Sequence, residues 1–424
     1  MEILKRSITQ KLINSLEDTP VVIINGARQV GKSTLVKELI DQSILSEYIT
    51  LDNLSVLGAL RQSPKNFLSR LKHGTVINEI QKSPEVFPVI KEIIDQDRKP
   101  GRFLLTGSAN IFMLPKISES LAGRMEVITL HPFTQGEILK TKEVFVDQIV
   151  EGSISTSSYK DDSSRIIDQV LTGGFPELLS RKPERRRSWV DNYTSALVQR
   201  DVFDISNVQD ITALPRILLT LADQTGNLLN VSNMARTIGM KRVTLIRYLA
   251  ILQTLFLTFE LQPYSHRNIT KRLVKSPKVY LNDSGLASQL LRVDTEKLSN
   301  PVEYGIYFGK LLETYIVTQI KRQITWSKSN PSMYYLRSED GGREVDIVLE
   351  YSGNKIFGIE IKATKSPNAD DWKHLVWLKE QNSHCIGGAV LYLGDQLLEV
   401  KEDIWMIPIS CLWNGEGNVN SNKL

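Results

Sequence analysis

At 424 residues, the chain exceeds one ordinary domain and predicts roughly two to four compact units, each with its own core. Hydrophobic residues at 41% and charged residues at 24% exclude disordered and fibrous classes, while a net charge of +4 permits a nucleic-acid or anionic partner without requiring one. Two cysteines without a CxxC pair and five scattered histidines argue against a disulfide framework or a zinc site.

The opening residues, Met1 to Arg6, lack the apolar run of a secretory signal, so a cytoplasmic location is expected. Val21-Val22-Ile23-Ile24 is a β-branched run that predicts a strand buried on both faces of a parallel sheet. Gly26-Ala27-Arg28-Gln29-Val30-Gly31-Lys32-Ser33 then fits G-x-x-x-x-G-K-[ST], and Thr34 to Ile40 continues with helical periodicity. Glycines in such a loop let backbone amides face phosphate oxygens, and the helix N-terminus adds partial positive charge. Gly26 to Ser33, with Thr34, form the predicted ATP-binding set: Lys32 neutralises the β- and γ-phosphates and Ser33 ligates Mg2+. The flanking strand and helix argue against a chance glycine-rich turn.

A second strand, Gly74 to Ile77, ends in Asn78-Glu79, where a P-loop ATPase usually carries Asp-Glu to hold the magnesium shell and orient water. Glu79 is the candidate general base. Asn78 would stand beside the metal, but its neutral amide supplies no negative charge, which predicts slow hydrolysis. The alternative is that Asn78-Glu79 only ends a strand and caps a helix. A third strand, from Arg102, breaks into a polar turn at Gly107 to Asn110 that a parallel sheet would bring to the P-loop edge, where a hydroxyl or amide would sense the γ-phosphate. Arg124 reads equally as an arginine finger, for its own or a neighbouring subunit, and as a surface salt-bridge residue.

These residues resemble AAA-type bacterial and archaeal ATPases whose core is joined to a C-terminal domain of PD-(D/E)xK nuclease type. The likeness extends to Tyr48-Ile49-Thr50-Leu51-Asp52, Asn78-Glu79-Ile80-Gln81, Leu105 to Asn110, Ser120-Leu121-Ala122-Gly123-Arg124 and Leu171-Thr172-Gly173-Gly174-Phe175-Pro176-Glu177. It implies a helical lid after the core, sensor roles for Ser108 and Asn110, and a finger role for Arg124.

Thr141 to Ser164, rich in Ser, Asp, Glu and Lys, predicts a poorly packed connection. Helices are expected around Ile166–Leu171 and Trp189–Phe203, separated by Gly173-Gly174 and Pro176. Leu229 to Leu252 reads as a helix-turn-helix with Ser232 as N-cap and Gly239 at the turn, followed by a strand from Phe256 to Leu261. Arg247, Gln253 and Glu260 interrupt its apolar stretch, so no membrane span is predicted. Arg267, Lys271, Arg272, Lys275 and Lys278 form a basic wing before Val279-Tyr280-Leu281. With Arg236, Lys241, Arg242 and Arg247 they would contact DNA phosphates, or the winged helix would serve only for packing.

In the last third, Gly342 to Glu350 and Lys355 to Lys362 read as adjacent strands joined by a turn at Gly353-Asn354. Glu360 and Lys362 share one face by the period of two. Asp346 and Glu360 would hold a divalent cation, and Lys362 would orient or activate a water for phosphodiester attack. This resembles the D…ExK core of the PD-(D/E)xK nucleases, with Glu313, on a helix from Gly309 to Ile320, as a further metal ligand. A solvated face with an incidental ion pair, or an inactive nuclease fold, is the bland alternative.

The expected fold is therefore α/β: a P-loop AAA-type ATPase core (1–140), a linker and helical lid (141–205), a winged helix-turn-helix (206–285), an α/β PD-(D/E)xK nuclease-like domain (286–412) and a tail (413–424). The expected function is an ATPase coupling nucleotide state to DNA binding or metal-dependent cleavage; the alternative is a nucleotide-dependent DNA- or protein-binding module without cleavage. ATP, Mg2+, double-stranded DNA and a homo-oligomeric or protein partner are the expected ligands and partners.

Overall fold

The computed structural model describes residues 3–108, 121–154, 163–205, 213–265, 276–298 and 300–414. Five strands, β1 (Val21–Asn25), β2 (Glu47–Thr50), β3 (Thr75–Asn78), β4 (Phe103–Thr106) and β5 (Met125–Thr129), form a parallel sheet in the order β2-β3-β4-β1-β5. Apolar side chains bury β1, β3 and β4 throughout, as expected where helices cover both faces. Parallel alignment brings the carboxyl ends of β1, β3 and β4 to one edge, with β4 between the other two. Gly26, Glu79 and Ser108 therefore meet there although scattered along the chain.

The predicted loose linker is corrected over its first part. Residues Phe145–Glu151 form a helix that buries Phe145, Val146 and Ile149, and Asp147 accepts hydrogen bonds from Ser327 and Ser329 far along the chain. The apolar positions within the polar composition set this packing. Helices Ser163–Thr172, Pro176–Ser180, Pro183–Ile205 and Ala213–Asp223 follow. Next come Val231–Ile238 and Arg242–Thr254, turned at Gly239 (φ 74°), and the antiparallel pair β6 (Thr258–Leu261) and β7 (Lys278–Leu281). The first of these helices is capped by Asn230, whose side chain accepts from the Asn233 amide at 2.9 Å, and not by Ser232. Helix Ser284–Leu291 packs on Ser163–Thr172 and Ala213–Asp223, so a division at 285 would cut through a single packed unit.

The third unit is a six-stranded mixed sheet: β8 (Ser332–Arg337), β9 (Glu344–Glu350), β10 (Ile356–Lys362), β11 (Cys385–Tyr392), β12 (Leu398–Lys401) and β13 (Ile404–Pro408), in the order β12-β13-β11-β10-β9-β8. Strands β9 and β10 are antiparallel around Gly353 (φ 77°), matching the predicted turn. The predicted helix at Gly309–Ile320 is longer, Pro301–Ile324. Trp413 is fully buried edge-on to Tyr315, so the fold extends past the predicted boundary at 412.

One buried ion pair ties the three units together. Arg322 donates to Asp283 Oδ2 at 3.1 Å, to the Asn282 carbonyl at 2.9 Å and to the Phe133 carbonyl at 2.7 Å. Asp283 also accepts from the Gly174 amide at 2.8 Å. Gly173-Gly174 is required at this junction. A Cβ on Gly173 would lie 2.0 Å from Asp283 Oδ1, and one on Gly174 would lie 2.0 Å from the Phe133 carbonyl.

Candidate functional site

The P-loop follows β1 directly. Gly26 (φ 143°) and Gly31 (φ 99°) take conformations open to glycine, and a Cβ on Gly26 would meet the Leu130 carbonyl at 2.2 Å. Ala27 and Val30 are buried and anchor the loop, whereas Gln29 turns outward with φ 62°. Lys32 begins the helix Lys32–Asp41, and its ammonium donates to the carbonyls of Gly26 and Ala27 at 2.8 Å each. Ser33 bonds the Tyr48 hydroxyl, whose pKa is raised chiefly by burial.

A cavity of about 560 Å³ opens above this loop, lined by Arg28, Gln29, Gly31, Lys32, Ser33, Thr34, Glu79 and Ser108. Its other walls were not anticipated from the sequence: Ile3 and Leu4 from the N-terminal segment, Phe133 beyond β5, and Pro176, Glu177 and Leu179 from the helical unit. Apolar walls beside a phosphate loop suit a planar base with a charged tail. Arg6 braces the loop, donating to the Val30 carbonyl at 3.0 Å while ion-paired with Glu137 at 3.2 Å and stacked on Phe133 at 4.2 Å. Nothing local in the N-terminal segment signals that role, since its partners lie up to 131 residues away.

Glu79 holds a left-handed backbone conformation (φ 60°), which for a residue other than glycine costs on the order of 1–3 kcal/mol and recurs at functional sites. Its carboxylate accepts from Gln81 and, at 3.4 Å, from Ser108. Asn78 differs from expectation. Its Oδ1 accepts from Thr106 at 2.6 Å and its Nδ2 donates to Thr50 at 3.1 Å, so both ends of the amide brace neighbouring strands and it does not line the cavity. Any influence of Asn78 on a metal would therefore act from behind Glu79 and not by facing the cavity. Ser33 and Glu79 line the cavity, and a hydrated magnesium ion carried by a triphosphate would meet a hydroxyl and a carboxylate there.

Arg124 stands elsewhere. Its carbonyl accepts from the Val21 amide at the start of β1, a strand length of roughly 16 Å from the P-loop. Its guanidinium grips Asp95 through two bonds, so a finger role toward its own P-loop is corrected to a bidentate ion pair. Asn110 and the basic-wing positions Arg267, Lys271, Arg272 and Lys275 lie outside the described residues.

In the C-terminal unit, β9 carries Glu344 and Asp346, β10 carries Glu360 and Lys362, and the long helix carries Glu313. Lys362 pairs with Glu360 at 3.0 Å, and Asp346 Oδ2 accepts from the Ile361 amide at 3.0 Å, locking the two strands. Glu313 is pushed up to about 7 by burial and by the Asp346 charge; Glu360 is raised for the same reasons. The structure places a lysine where the sequence predicted a metal. Lys278 Nζ lies 2.7 Å from Glu344, 3.0 Å from Glu313 and 3.5 Å from Asp346. Among the described residues no three His, Cys, Asp or Glu side chains close on a common point that would hold an ion. The sequence presented Lys278 as one of five wing cations; its burial depends on pairing between β6 and β7, which composition cannot reveal.

With this geometry in place, comparison with known proteins is informative. Residues 18–139 match the family described as an AAA domain. The N-terminal unit is an AAA-type P-loop core. Residues 163–297 and 308–412 match two families each described as a domain of unknown function, DUF8612 and DUF4143. The first match keeps the predicted lid and helix-turn-helix together, as their packing does. An uncharacterised protein of Mycobacterium tuberculosis is 28% identical over 411 residues, covering 96% of this chain and 84% of the relative. One from Methanocaldococcus jannaschii is 20% identical over 443 residues, covering 98% and 87%. The RuvB Holliday junction branch migration motor of Thermotoga maritima aligns over 64% of this chain and 95% of its own at 18% identity, with a TM-score of 0.31, too low to bear on function. No helix among the described residues is long and apolar enough to cross a membrane.

Proposed function

We propose that the AAA core binds and slowly hydrolyses ATP, and that nucleotide state is passed through the helical unit to a DNA-binding face. The observation that carries this reading is the shared cavity: the P-loop forms one wall and Pro176, Glu177 and Leu179 of the helical unit another. A direct link supports it, since Tyr193 in helix Pro183–Ile205 donates to the Arg28 carbonyl of the P-loop at 3.2 Å. A triphosphate drawing Lys32 from the Gly26 and Ala27 carbonyls changes the loop that Tyr193 touches.

In that reaction the backbone amides from Gly26 to Ser33 and the Lys32 ammonium hold the phosphates. Magnesium, when bound beside Ser33, offsets the charge between the β- and γ-phosphates. Glu79 orients and deprotonates the attacking water, with Ser108 sensing the γ-phosphate end of the cavity. Asn78, behind the cavity and one residue before Glu79, is neutral and adds no negative charge to the magnesium side of the site, which is why turnover is proposed to be slow. A second copy of the chain is the partner whose nucleotide Arg124 would reach, because Arg124 lies at the edge opposite its own P-loop.

DNA is the favoured target because the helix pair Val231–Ile238 and Arg242–Thr254 exposes Arg236, Lys241, Arg242 and Arg247, and no acidic residue occurs from Val231 to Thr254. Such a face, read as a winged helix, attracts phosphates without sequence preference. In the nuclease reading, Asp346, Glu360 and Glu313 hold a divalent cation and Lys362 orients the water. A nucleotide-dependent DNA-binding module without cleavage is favoured by Lys278 standing among these carboxylates.

One experiment separates the readings: ATP turnover, DNA retention and DNA cutting measured on the full chain and on Lys32→Ala and Asp346→Ala proteins. Retention that responds to ATP and fails in Lys32→Ala supports coupling. Cutting lost in Asp346→Ala supports the nuclease. A folded chain with no ATP affinity overturns the proposal.

A further inference from the structure

We infer that Lys278 is a tethered counter-cation holding the C-terminal carboxylates in a metal-free state, and that a divalent cation and the Lys278 ammonium compete for the same oxygens. The inference rests on reading Glu313, Asp346 and Glu360 as a divalent-cation set, and it adds Glu344, to which no role was assigned above.

Carboxylates from two elements surround Lys278, Glu313 from the helix Pro301–Ile324 and Glu344 and Asp346 from β9, with Glu360 on the neighbouring strand β10. Like charges gathered in a place of restricted solvent access repel one another and require a cation. Lys278, 3% exposed at the start of β7, supplies it, with Nζ within 3.5 Å of Glu313, Glu344 and Asp346. An ammonium is a compact point charge with three donors, so it can satisfy three carboxylate oxygens at once. The Tyr280 hydroxyl, two residues along the same strand, donates to Glu313 Oε1 at 2.6 Å, so β7 presents both groups to this cluster.

The cluster is nevertheless incompletely satisfied. Glu360 is 4% exposed, and its Oε1 has no hydrogen-bond donor among the described residues. Lys362 pairs with the other oxygen, Oε2, at 3.0 Å, while His374 Nδ1 stands 3.8 Å from Oε1, beyond hydrogen-bond reach, and contacts the Glu344 carbonyl at 2.8 Å. The ammonium groups of Lys278 and Lys362 leave this oxygen bare, whereas a divalent cation accepts six or more oxygen ligands from carboxylates and waters, by the usual coordination of about 6–8 for calcium and six for magnesium. Glu360 Oε1 is thus an oxygen that a cation would gain beyond those Lys278 and Lys362 already hold.

The competition has a structural consequence. Lys278 belongs to the helical unit, through β7, whereas the carboxylates belong to the third unit. The competition is therefore between an ammonium supplied by one unit and oxygens supplied by another.

The test is Mn2+ binding, followed by electron paramagnetic resonance on the full chain without nucleotide, so that the P-loop carries no triphosphate-bound metal. Lys278→Met keeps the side-chain length and removes the charge; Lys278→Arg keeps the charge. The expected result is Mn2+ affinity at least tenfold tighter in Lys278→Met than in the wild type and the Arg variant, with the gain lost when Asp346→Asn is added. Wild-type protein that already binds Mn2+ through Asp346 as tightly as Lys278→Met overturns the competition while leaving the metal set standing. Absence of Asp346-dependent Mn2+ binding in every protein overturns the metal set, and the inference with it. Should Lys278→Met not fold alone, Mn2+ is expected to restore its circular dichroism and melting transition, and failure to do so overturns the inference. DNA cutting, assayed separately, decides only whether the filled site is catalytic.

Discussion

Asp283 Oδ2 and Arg322 Nη2 lie 3.1 Å apart with their side chains 1% and 2% exposed, at the point where all three units of the chain meet. A buried pair of this kind is not in itself strong evidence for stability, because taking both charges out of water offsets much of their attraction. Its removal by halves is another matter. Arg322→Met would strand the Asp283 carboxylate and strip donors from the Phe133 and Asn282 carbonyls. The expected loss is about 3–5 kcal/mol in urea denaturation, with part recovered when Asp283→Asn is added. A loss near zero would show that water reaches the pair.

Asn78→Asp tests the slow-turnover reading. Thr50 and Thr106 flank the amide, and both hydroxyls can donate to a carboxylate, so an aspartate would be held where the amide now sits. Turnover measured by phosphate release is expected to rise several-fold. Unchanged turnover would leave position 78 as a brace between strands and nothing more.

The exposed helix pair makes a quantitative expectation for DNA. Each phosphate contact contributes about 0.9 to the slope of log affinity against log salt on duplex DNA. The double variant Arg242→Ala and Arg247→Ala should therefore flatten the slope by about 1.8 and weaken binding similarly across unrelated sequences. An unchanged slope would place DNA elsewhere and assign this face to protein contacts.

Glu143 gives a pH dependence. Burial raises its pKa to about 8, assisted by the charge of Glu137 and opposed by the hydrogen bonds from Thr134 and Gly136. The folded chain thus keeps a proton that the unfolded chain releases from about 4.5 upward. Stability from this group is complete below that value and is lost as pH rises toward about 8. Glu143→Gln, neutral at every pH, should gain in melting temperature relative to the wild type as pH is raised across that window. A difference that does not vary with pH would mean that Glu143 is ionised throughout.

The nucleotide loop was legible because its requirements are local: a buried strand, glycines at Gly26 and Gly31, and a helix opening on Lys32-Ser33 follow one another without a gap. The alternation that set Glu360 and Lys362 on one face of β10 was legible for the same reason, and they pair across that face. The bracing by Asn78 was not legible, because its partners, Thr50 and Thr106, sit on strands 28 residues away in either direction. Lys278 misled. It shares its neighbourhood in sequence with solvent-seeking cations, but in the fold it points at carboxylates 35 to 68 residues further on. Arg6 and Arg322 have similarly distant partners, and their roles depend on the assembled tertiary structure.

The Asp283–Arg322 junction also bears on how the protein can be divided. A fragment ending near residue 300 would keep Gly174 and Asp283 but discard the guanidinium that neutralises Asp283, and would lay bare the apolar surface that now meets Leu311, Leu312 and Tyr315. A fragment beginning there would carry Glu313 and Asp346 without Lys278. Excising either half exposes a charged or oily scar, so the AAA core and the C-terminal sheet are better regarded as one cooperative body than as modules on a string.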